Sequence, residues 1–375
     1  MNASRAWRLC WVTLLILDAA ITAALAASCG GGATTSPSPG TPSGTHAAAL
    51  SGRLTLFGYE DGFVPRAIGG FEKANPGLKV STASFGTNDE AVAKMRAGFR
   101  VDVVDVCVEE TPRMVKLGLL QPLDTSRIAG WSDIVPSLQT MPGVVIDGKT
   151  YMLPDRGGTG GILYNPKEVP QGVASWKALF EDPALKGRIT LEDSPATVIP
   201  VAALALGYKD PFHLSDSDLN RIQDYLLAHR SQIRTFFNGD ADFLNLYKSG
   251  EIVAGFAWHD YRASAQREGV PAEYVVPTEG QLAWVCGWGI AAGAQNMDAA
   301  YAALSWYNSP TPQAYYAKSY TYWVFNRKTL SVLPQKLIDT IGLDHPEQLQ
   351  HAIPLVIPDN YDRWLRVFQT VKSSG

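Results

Sequence analysis

The segment Val101-Asp-Val-Val-Asp-Val-Cys-Val108 predicts a buried strand, because parallel sheets bury β-branched runs of this kind on both faces. Two further strands are predicted upstream, at residues 53–57 and 78–82. Helices are predicted after the three strands, at residues 64–74, 87–97 and 111–119. Strands and helices that alternate in this order predict a doubly wound α/β lobe with a parallel sheet.

The same alternation continues through the second half of the chain. Strands are predicted at residues 187–191, 251–257 and 284–292. Helices are predicted at residues 175–180, 198–206, 216–229, 299–306, 311–318 and 359–372. The part of the chain that follows the N-terminal region has roughly 325 residues, which is enough for two lobes rather than one core.

The N-terminal region has the composition of a bacterial export signal. A basic start, an apolar run and the small residues of Ala26-Ala27-Ser28 predict a signal peptide at residues 1–28. The cysteine that follows directly predicts lipid attachment at Cys29, with plain cleavage after Ala24-Leu25-Ala26 as the alternative. A membrane span is disfavoured, because the run is just short of the ~20 apolar residues that a span needs and Asp18 interrupts it.

Residues 29–50 predict a disordered tether, because this segment consists mainly of Gly, Ser, Thr and Pro and has almost nothing to bury. Such a tether would let a globular body move above a membrane surface. A body outside the cytoplasm has no supply of ATP or NADH, which argues against kinases and dehydrogenases. We therefore expect an extracytoplasmic protein, in the periplasm or on the outer face of the cytoplasmic membrane.

The charge pattern and the absence of catalytic motifs argue against nucleic-acid binding and catalysis. Removal of residues 1–28 takes Arg5, Arg8 and Asp18 from 32 basic and 36 acidic residues, which leaves 30 and 35 and a net charge of −5. The sequence has no run of Lys or Arg, so no nucleic-acid partner is expected. It contains neither His-Glu-x-x-His nor Gly-x-Ser-x-Gly, so we expect no metal, no cofactor and no hydrolytic activity.

Two glycine-containing segments resemble the sequence motifs of nucleotide-binding or anion-binding sites. Residues 143–150 match the phosphate-loop pattern, but their Val-Val-Ile favours an extended chain and Pro154 would obstruct the helix that such a loop needs. Asp147-Gly148 instead predicts a hairpin turn. The segment Arg156-Gly-Gly-Thr-Gly-Gly161 either presents amides to an anion or forms a flexible hinge between two lobes, and we favour the hinge.

Short motifs follow one another in an order and spacing that is typical of one superfamily. They are Tyr59 with Phe63-Val-Pro65, Asn88-Asp-Glu90, Val101-Asp-Val-Val104, Tyr151-x-Leu-Pro154, Ser175-Trp176-x-x-Leu179, Leu206-Gly-Tyr208, Gly250-Glu251 before Trp258, Pro277-x-Glu279-Gly280 before Trp284, and Tyr322 with Asn326. From residue 53 to its C-terminus the chain thereby resembles the extracytoplasmic solute-binding proteins, and among them the spermidine/putrescine-binding proteins of ABC importers.

The resemblance implies two doubly wound α/β lobes joined by crossover strands, as in type II periplasmic binding proteins. Lobe one would comprise residues 51–153 and 284–322, and lobe two residues 154–283 and 323–375. A small-molecule ligand would be caught between the closing lobes and passed to a membrane permease. The protein would then be a monomeric binding protein and not an enzyme. A ligand sensor that presents its closed form to a membrane receptor is the alternative.

The resemblance also implies a ligand site that combines aromatic side chains with charged groups. Trp258, Trp284 and Tyr322 match the family directly, and Tyr59 and Phe63 stand where the family has Trp and Tyr. This chain has Ser194, Thr197 and Cys286 where the family has acidic residues, and Cys107 and Glu109 where it has Ser and Tyr. These ten residues, with Arg156 and Asp260, are the candidate ligand-binding residues.

The departures from the family pattern change the expected ligand. Loss of three carboxylates would leave ammonium groups poorly compensated in a closed cleft. Glu109 and Asp260 would restore one or two anionic contacts, which suits a smaller or single-headed amine, whereas Arg156 would suit a carboxylate. Each of these charges is otherwise an exposed rim group. We expect an amine, a polyamine-like solute or an amino-acid derivative, with a carboxylate-bearing solute as the alternative.

Two cysteines remain outside the export region, and their number alone leaves a disulfide and two buried thiols equally open. In the fold that the resemblance implies, the third strand of lobe one lies beside the strand that passes through Trp284. Cys107 and Cys286 would then lie on neighbouring strands near the cleft. The resemblance therefore predicts a disulfide between them.

Overall fold

The computed structural model describes residues 50–63, 65–345 and 352–375. The predicted signal peptide, the lipidation site at Cys29 and all but the last residue of the predicted tether lie outside the described residues. No helix among the described residues combines the length and the apolar character that crossing a membrane requires.

Strands and helices alternate along the described residues. The strands are β1 Gly52–Gly58, β2 Leu78–Ser84, β3 Val103–Cys107, β4 Leu120–Gln121, β5 Val145–Ile146, β6 Lys149–Thr150, β7 Leu153–Tyr164, β8 Ile189–Glu192, β9 Ile233–Phe237, β10 Ala254–Trp258, β11 Glu273–Val275, β12 Gln281–Ala291, β13 Trp323–Val324 and β14 Ala352–Pro354. The helices are α1 Pro65–Ala74, α2 Asn88–Arg96, α3 Thr111–Lys116, α4 Pro136–Gln139, α5 Trp176–Glu181, α6 Pro195–Ala205, α7 Asp216–Ala228, α8 Asp240–Ser249, α9 Asp260–Arg267, α10 Met297–Tyr307, α11 Pro310–Tyr320, α12 Gln335–Ile341 and α13 Tyr361–Lys372.

The main sheet has the strand order β2-β1-β3-β12-β7-β10-β8-β9. β1 pairs in parallel with β2 and β3, and β8 pairs in parallel with β9 and β10. β12 and β7 lie antiparallel to their neighbours in the middle of the sheet. The predicted α/β class is therefore confirmed, with a parallel unit at each end of the sheet.

The described residues pack around two hydrophobic cores. The first core holds buried residues of 54–153 and 285–343, and the second core holds those of 162–282 and 364–371. The long strands β7 and β12 run from one core to the other. Leu153 of β7 and Val285 of β12 lie in the first core. Ile162 of β7 and Leu282 of β12 lie in the second core.

Residues 323–343 pack differently from the sequence assignment, which placed 323–375 in lobe two. Trp323, Phe325 and Ile341 are buried in the first core. The reason is that β13 pairs with β7 at Gly157 and Arg156, so that the chain stays on the first core after α11. Among the described residues that follow residue 343, Ile353, Leu355, Val356 and Tyr361 pack against the second core.

The glycine-rich segment at residues 156–161 is not a flexible loop but part of β7, and all of it is buried. Its glycines are required because aromatic side chains lie very close to the backbone of β7. A Cβ at Gly158 would lie 2.6 Å from Trp284 Nε1, and a Cβ at Gly160 would lie 2.9 Å from Trp258 Cζ3. From the sequence alone a flexible hinge is expected here and no strand is predicted, because glycine is normally depleted in strands.

The hairpin turn predicted at Asp147-Gly148 is present between β5 and β6. Both residues adopt positive φ, 49° and 73°, as the type of turn favoured in two-residue hairpins demands. The chain therefore turns back at this point into β6, and no helix follows that would complete a phosphate loop.

Candidate functional site

A central cavity of about 700 Å³ lies where β7 and β12 pass between the two cores. It is lined by Tyr59, Asp61, Cys107, Glu109, Arg156, Glu192, Asp240, Trp258, Asp260, Tyr261, Trp284, Cys286, Tyr320 and Tyr322. Several of these residues stand at or just after the carboxyl ends of β1, β3, β8 and β10. This is where α/β sheets bind ligands, because the loops there are free to present side chains that the sheet holds in place.

Most of the ligand-binding residues predicted from the sequence come together in this cavity. They are Tyr59, Cys107, Glu109, Arg156, Trp258, Asp260, Trp284, Cys286 and Tyr322. The residues were far apart in sequence, and the sheet order brings them together by placing β3, β12 and β7 side by side.

Phe63, Ser194 and Thr197 do not line the cavity. The ring of Phe63 packs against the first core, 5.9 Å from the ring of Trp288. Ser194 precedes α6, and buried Thr197 donates its hydroxyl to the Ser194 carbonyl at 3.0 Å. Phe63 thus belongs to the packing of the first core, and Ser194 and Thr197 stand at the start of α6.

The sequence reasoning missed five residues that line the cavity: Asp61, Glu192, Asp240, Tyr261 and Tyr320. Glu192 is the last residue of β8, and Asp61 follows β1 by three positions. The rule that ligands bind at the carboxyl ends of strands would have found these two. Asp240 and Tyr320 carry no such signal, because they belong to helices whose positions depend on packing.

Aromatic side chains form one face of the central cavity. The rings of Trp284 and Tyr322 meet edge to face at 4.9 Å, and Tyr320 stacks on Tyr322 at 5.1 Å. The Trp284 indole rests on the bare backbone of Gly158. Such a surface can contact methylene groups and can attract a cation placed over a ring.

Glu109 and Asp61 bring negative charge to the side of the cavity formed by the first core. Burial, together with the charges of Glu110 and Asp105, raises the pKa of Glu109 to about 7. Its Oε2 is buried and has no hydrogen-bond partner. Tyr59 lies nearby and donates its hydroxyl to Asn88 Oδ1 at 2.7 Å. Burial raises the pKa of the Tyr59 hydroxyl, and the negative charge of Glu109 raises it further.

Arg156 is held by carboxylates of the protein itself. Its Nη1 lies 3.0 Å from Asp155 Oδ1, and its Nη2 donates to Asp105 Oδ2. Its Nε lies 3.9 Å from Asp61 Oδ2. Because both Nη atoms are already used, the guanidinium is not available as the two-pronged carboxylate clamp that the sequence analysis considered.

The second core contributes Glu192, Asp260 and Asp240. Trp258 donates its indole N–H to Glu192 Oε1 at 3.1 Å. Burial raises the pKa of Glu192, and the polar side chains of Trp258 and Thr197 oppose that shift. Burial also raises the pKa of Asp260 to about 7, and the nearby charge of Asp240 adds to the effect.

The central cavity is therefore acidic and aromatic. Five carboxylates line it, and the one cationic side chain among its lining residues, Arg156, is already paired. The part of the chain that the structure describes contains no cluster of three or more His, Cys, Asp or Glu side chains suited to a metal ion. The arrangement is chemically suited to an organic cation with an apolar portion.

Comparison with known proteins agrees with this fold. A family model described as bacterial extracellular solute-binding protein matches residues 67–334. The chain is 25% identical over 321 residues to the putrescine-binding periplasmic protein PotF of Escherichia coli, which covers 81% of this chain and 86% of that protein. It is 27% identical over 268 residues to the spermidine/putrescine-binding periplasmic protein of the same species, which covers 68% of this chain and 73% of that protein.

A solved structure extends the comparison to three dimensions. The spermidine/putrescine ABC transporter substrate-binding protein PotD of Streptococcus pneumoniae superimposes with a TM-score of 0.75. The identity is 22%, and the superposition covers 86% of this chain and 99% of that chain. At this level of identity the superposition shows a common fold. The chain belongs to the bacterial extracellular solute-binding protein family.

Proposed function

We propose that this protein is the substrate-binding subunit of an ABC importer and that it captures a small organic cation with two or more ammonium groups in the central cavity. The observation that carries the proposal is the set of five cavity carboxylates, Asp61, Glu109, Glu192, Asp240 and Asp260, around an aromatic face. The names of the curated relatives, which include putrescine- and spermidine-binding proteins, support the same class of ligand.

The carboxylates come from two groups of elements. Asp61 and Glu109 follow strands of the first core, whereas Glu192, Asp240 and Asp260 belong to elements of the second core. Tyr322 lies near both groups, since the charges of Asp61 and Asp260 both raise its pKa in addition to burial. Two acidic groups in one aromatic cavity suit a diamine better than the single-headed amine that the sequence analysis favoured.

A carboxylate-bearing solute is less well supported. Such a ligand would need a cationic partner, and Arg156 already neutralises Asp105 and Asp155. Its Nε, which has no hydrogen-bond partner, lies 3.9 Å from Asp61 Oδ2, so carboxylates of the protein itself surround the guanidinium. Each cavity carboxylate would also repel the ligand. We therefore propose a diamine rather than a simple carboxylate as the ligand.

Export, anchoring and closure complete the proposal. Residues 1–28 direct export, Cys29 carries a lipid, and the two lobes close on the ligand as a monomer that a permease recognises. The anchor is tested by fractionation of cells that express the protein. Cys29→Ala should move it from the membrane fraction to the soluble fraction, whereas an unchanged distribution would contradict lipid attachment at this residue.

Titration calorimetry of the purified protein with putrescine, spermidine, 4-aminobutanoate and succinate tests the ligand class. Each charge-assisted hydrogen bond contributes about 1.5–3 kcal/mol, so Glu192→Gln and Asp260→Asn should each weaken diamine binding by about tenfold or more. Glu72→Gln, which alters an exposed carboxylate on α1, is the matched control. Binding of succinate but of neither amine would contradict the proposal. Putrescine binding without stimulation of a permease-coupled ATPase would favour the sensor alternative.

A further inference from the structure

A disulfide joins Cys107 and Cys286 in the wall of the central cavity. Cys107 is the last residue of β3, and Cys286 lies directly opposite it on the antiparallel strand β12. The two residues are only 5% and 6% exposed, and both line the cavity. The sulfurs are therefore approached from the space that the ligand would occupy.

The disulfide does not connect the two cores. Val106 and Val285, the neighbours of the two cysteines, are both buried in the first core. The backbone already joins the strands at this point, because the Val108 N–H donates to the Val285 carbonyl at 2.9 Å. The two strands would therefore be neighbours without the disulfide. The covalent bond only fixes their relative position more closely at Cys107 and Cys286.

Each cysteine lies two residues from a group that faces the ligand space. Glu109 follows Cys107 by two positions, and Trp284 precedes Cys286 by two. The pairing of β12 with β3 begins at Cys286 and runs toward Ile290, so Trp284 lies just outside it. The disulfide fixes the end of this pairing that is nearest to Glu109 and Trp284.

We propose that the Cys107–Cys286 disulfide holds Glu109 and Trp284 in their ligand-binding positions and that its reduction weakens ligand binding. Two bonded sulfurs are about 2.05 Å apart, whereas two thiols must separate to ordinary contact, roughly 1.5 Å further. Because the neighbouring Val106 and Val285 are fully buried and both cysteines line the cavity, we expect the displacement to be toward the cavity. The inference rests on the proposed function, because the affinity concerned is that for a diamine.

The reduction requires a dithiol, and the electrons balance as follows. One thiolate of the dithiol attacks a cysteine sulfur, which forms a mixed disulfide and releases the other cysteine as a thiolate that takes a proton from water. The second thiol of the reductant then attacks the mixed disulfide through its thiolate. This step releases the remaining cysteine, which is protonated in turn, and closes the cyclic disulfide of the reductant. Two electrons pass to the protein.

Ligand binding and reduction are then coupled in both directions. If reduction weakens binding by a given factor, the ligand must make the disulfide harder to reduce by the same factor. A tenfold loss of affinity corresponds to a shift of about 30 mV in the reduction midpoint for a two-electron couple. A bond that served only as a staple for the fold would show neither effect below the unfolding temperature.

The test uses putrescine as the probe and dithiothreitol as the reductant, with the purified full-length protein at 25 °C. We expect the dissociation constant of the reduced protein to be about tenfold higher, the reduction midpoint to move by the matching amount when putrescine is saturating, and reoxidation to restore the affinity. Circular dichroism verifies that the reduced protein stays folded. Cys107→Ser/Cys286→Ser gives an independent reduced state and should bind like the reduced protein.

Three results would overturn the inference, and they are distinguishable. Equal affinities of the folded oxidised and reduced forms, with an unshifted midpoint, would show that the disulfide only stabilises the fold. Absence of amine binding to the oxidised protein would overturn this inference together with the proposed function. Unfolding of the reduced protein at 25 °C would also contradict it, because the disulfide would then be required for the fold itself.

Discussion

Trp258 and Glu192 form one unit in the central cavity, because the indole N–H of Trp258 donates to Glu192 Oε1 at 3.1 Å. The first residue ends β10 and the second ends β8, and the two strands are parallel neighbours in the sheet. The hydrogen bond favours the ionised form of a buried carboxylate and fixes its direction. An aromatic contact and an anionic contact are thereby presented to the ligand together.

Replacement of this donor is expected to weaken diamine binding without removing the aromatic ring. Trp258→Phe deletes one hydrogen bond to Glu192, a loss of about 0.5–1.5 kcal/mol or roughly two- to tenfold in affinity. Glu192→Gln should cost more, because it removes the charge itself. Calorimetric titration with putrescine measures both. Wild-type affinity in the Phe variant would show that Glu192 is oriented by other groups.

Affinity for a diamine should fall as the pH is lowered from 8 to 6. The pKa values of Glu109 and Asp260 are raised to about 7, so each carboxylate is partly protonated near neutrality and must lose its proton to pair with an ammonium group. Each group contributes up to about tenfold over this range. Titrations at pH 7 in buffers of different ionisation enthalpy should detect proton release. An affinity that stays constant from pH 6 to 8 would refute the assignment of both groups.

The free protein should show the opposite trend in stability at the same carboxylates. Because the folded pKa of Glu109 lies above its unfolded value of about 4.3, the folded state binds more protons between pH 4 and 7, and the unfolding free energy contributed by this group declines as the pH rises through that range. Glu109→Gln cannot ionise and should raise the unfolding free energy at pH 7.5 by about 1–3 kcal/mol. Urea unfolding at pH 5 and 7.5 measures this, with Glu72→Gln as control. Equal pH slopes in variant and wild type would be inconsistent with a buried, ionising Glu109.

Gly158→Ala should impair binding through Trp284. The added Cβ would lie 2.6 Å from the indole nitrogen, closer than real Cβ contacts allow, so the ring must move. We expect a loss of diamine affinity of about tenfold or more, since an aromatic contact of about 0.5–1.5 kcal/mol and the fit of the cavity are both affected. Gly69→Ala is the matched control, because a Cβ there meets nothing within 4 Å. Unchanged affinity in the Gly158 variant would show that Trp284 is dispensable or relocates without effect.

Arg156→Met should destabilise the fold strongly. Loss of the guanidinium leaves Asp105 and Asp155 buried without their counter-charge, which typically costs about 3–5 kcal/mol. Arg188→Met removes an exposed ion pair to Glu168 and should cost less than about 1 kcal/mol. Urea denaturation of the two variants provides the comparison. Similar, small losses in both would mean that the buried carboxylates take up protons without penalty.

Much of the fold could be predicted because the relevant signals are local. The β-branched run of β3 and the turn at Asp147-Gly148 each depend on a few adjacent residues. The same holds for the alternation of strands and helices. The glycine-rich part of β7 was not predicted as a strand, because its glycines are required by aromatic rings that lie far away in the sequence.

The site was harder to predict than the fold. Tyr59, Trp258 and Trp284 were recognised because aromatic residues keep their chemical meaning when one sequence is compared with a family. Glu192 was overlooked in favour of Ser194 and Thr197, since an offset of two residues separates the end of a strand from the turn of the next helix. Such an offset changes which side chain faces the cavity and leaves the sequence pattern almost unchanged.

By itself the sequence determined the α/β class, the order of the elements and the aromatic character of the site, because hydrophobic periodicity and side-chain chemistry are properties of short segments. Only the tertiary structure decided that Arg156 pairs with Asp105, which lies 51 residues away in the sequence. It also decided that residues 323–343 pack in the first core and that Cys107 is bonded to Cys286 in the cavity wall. These relations depend on which strands become neighbours in the sheet, and strand order is set by the packing of the whole chain.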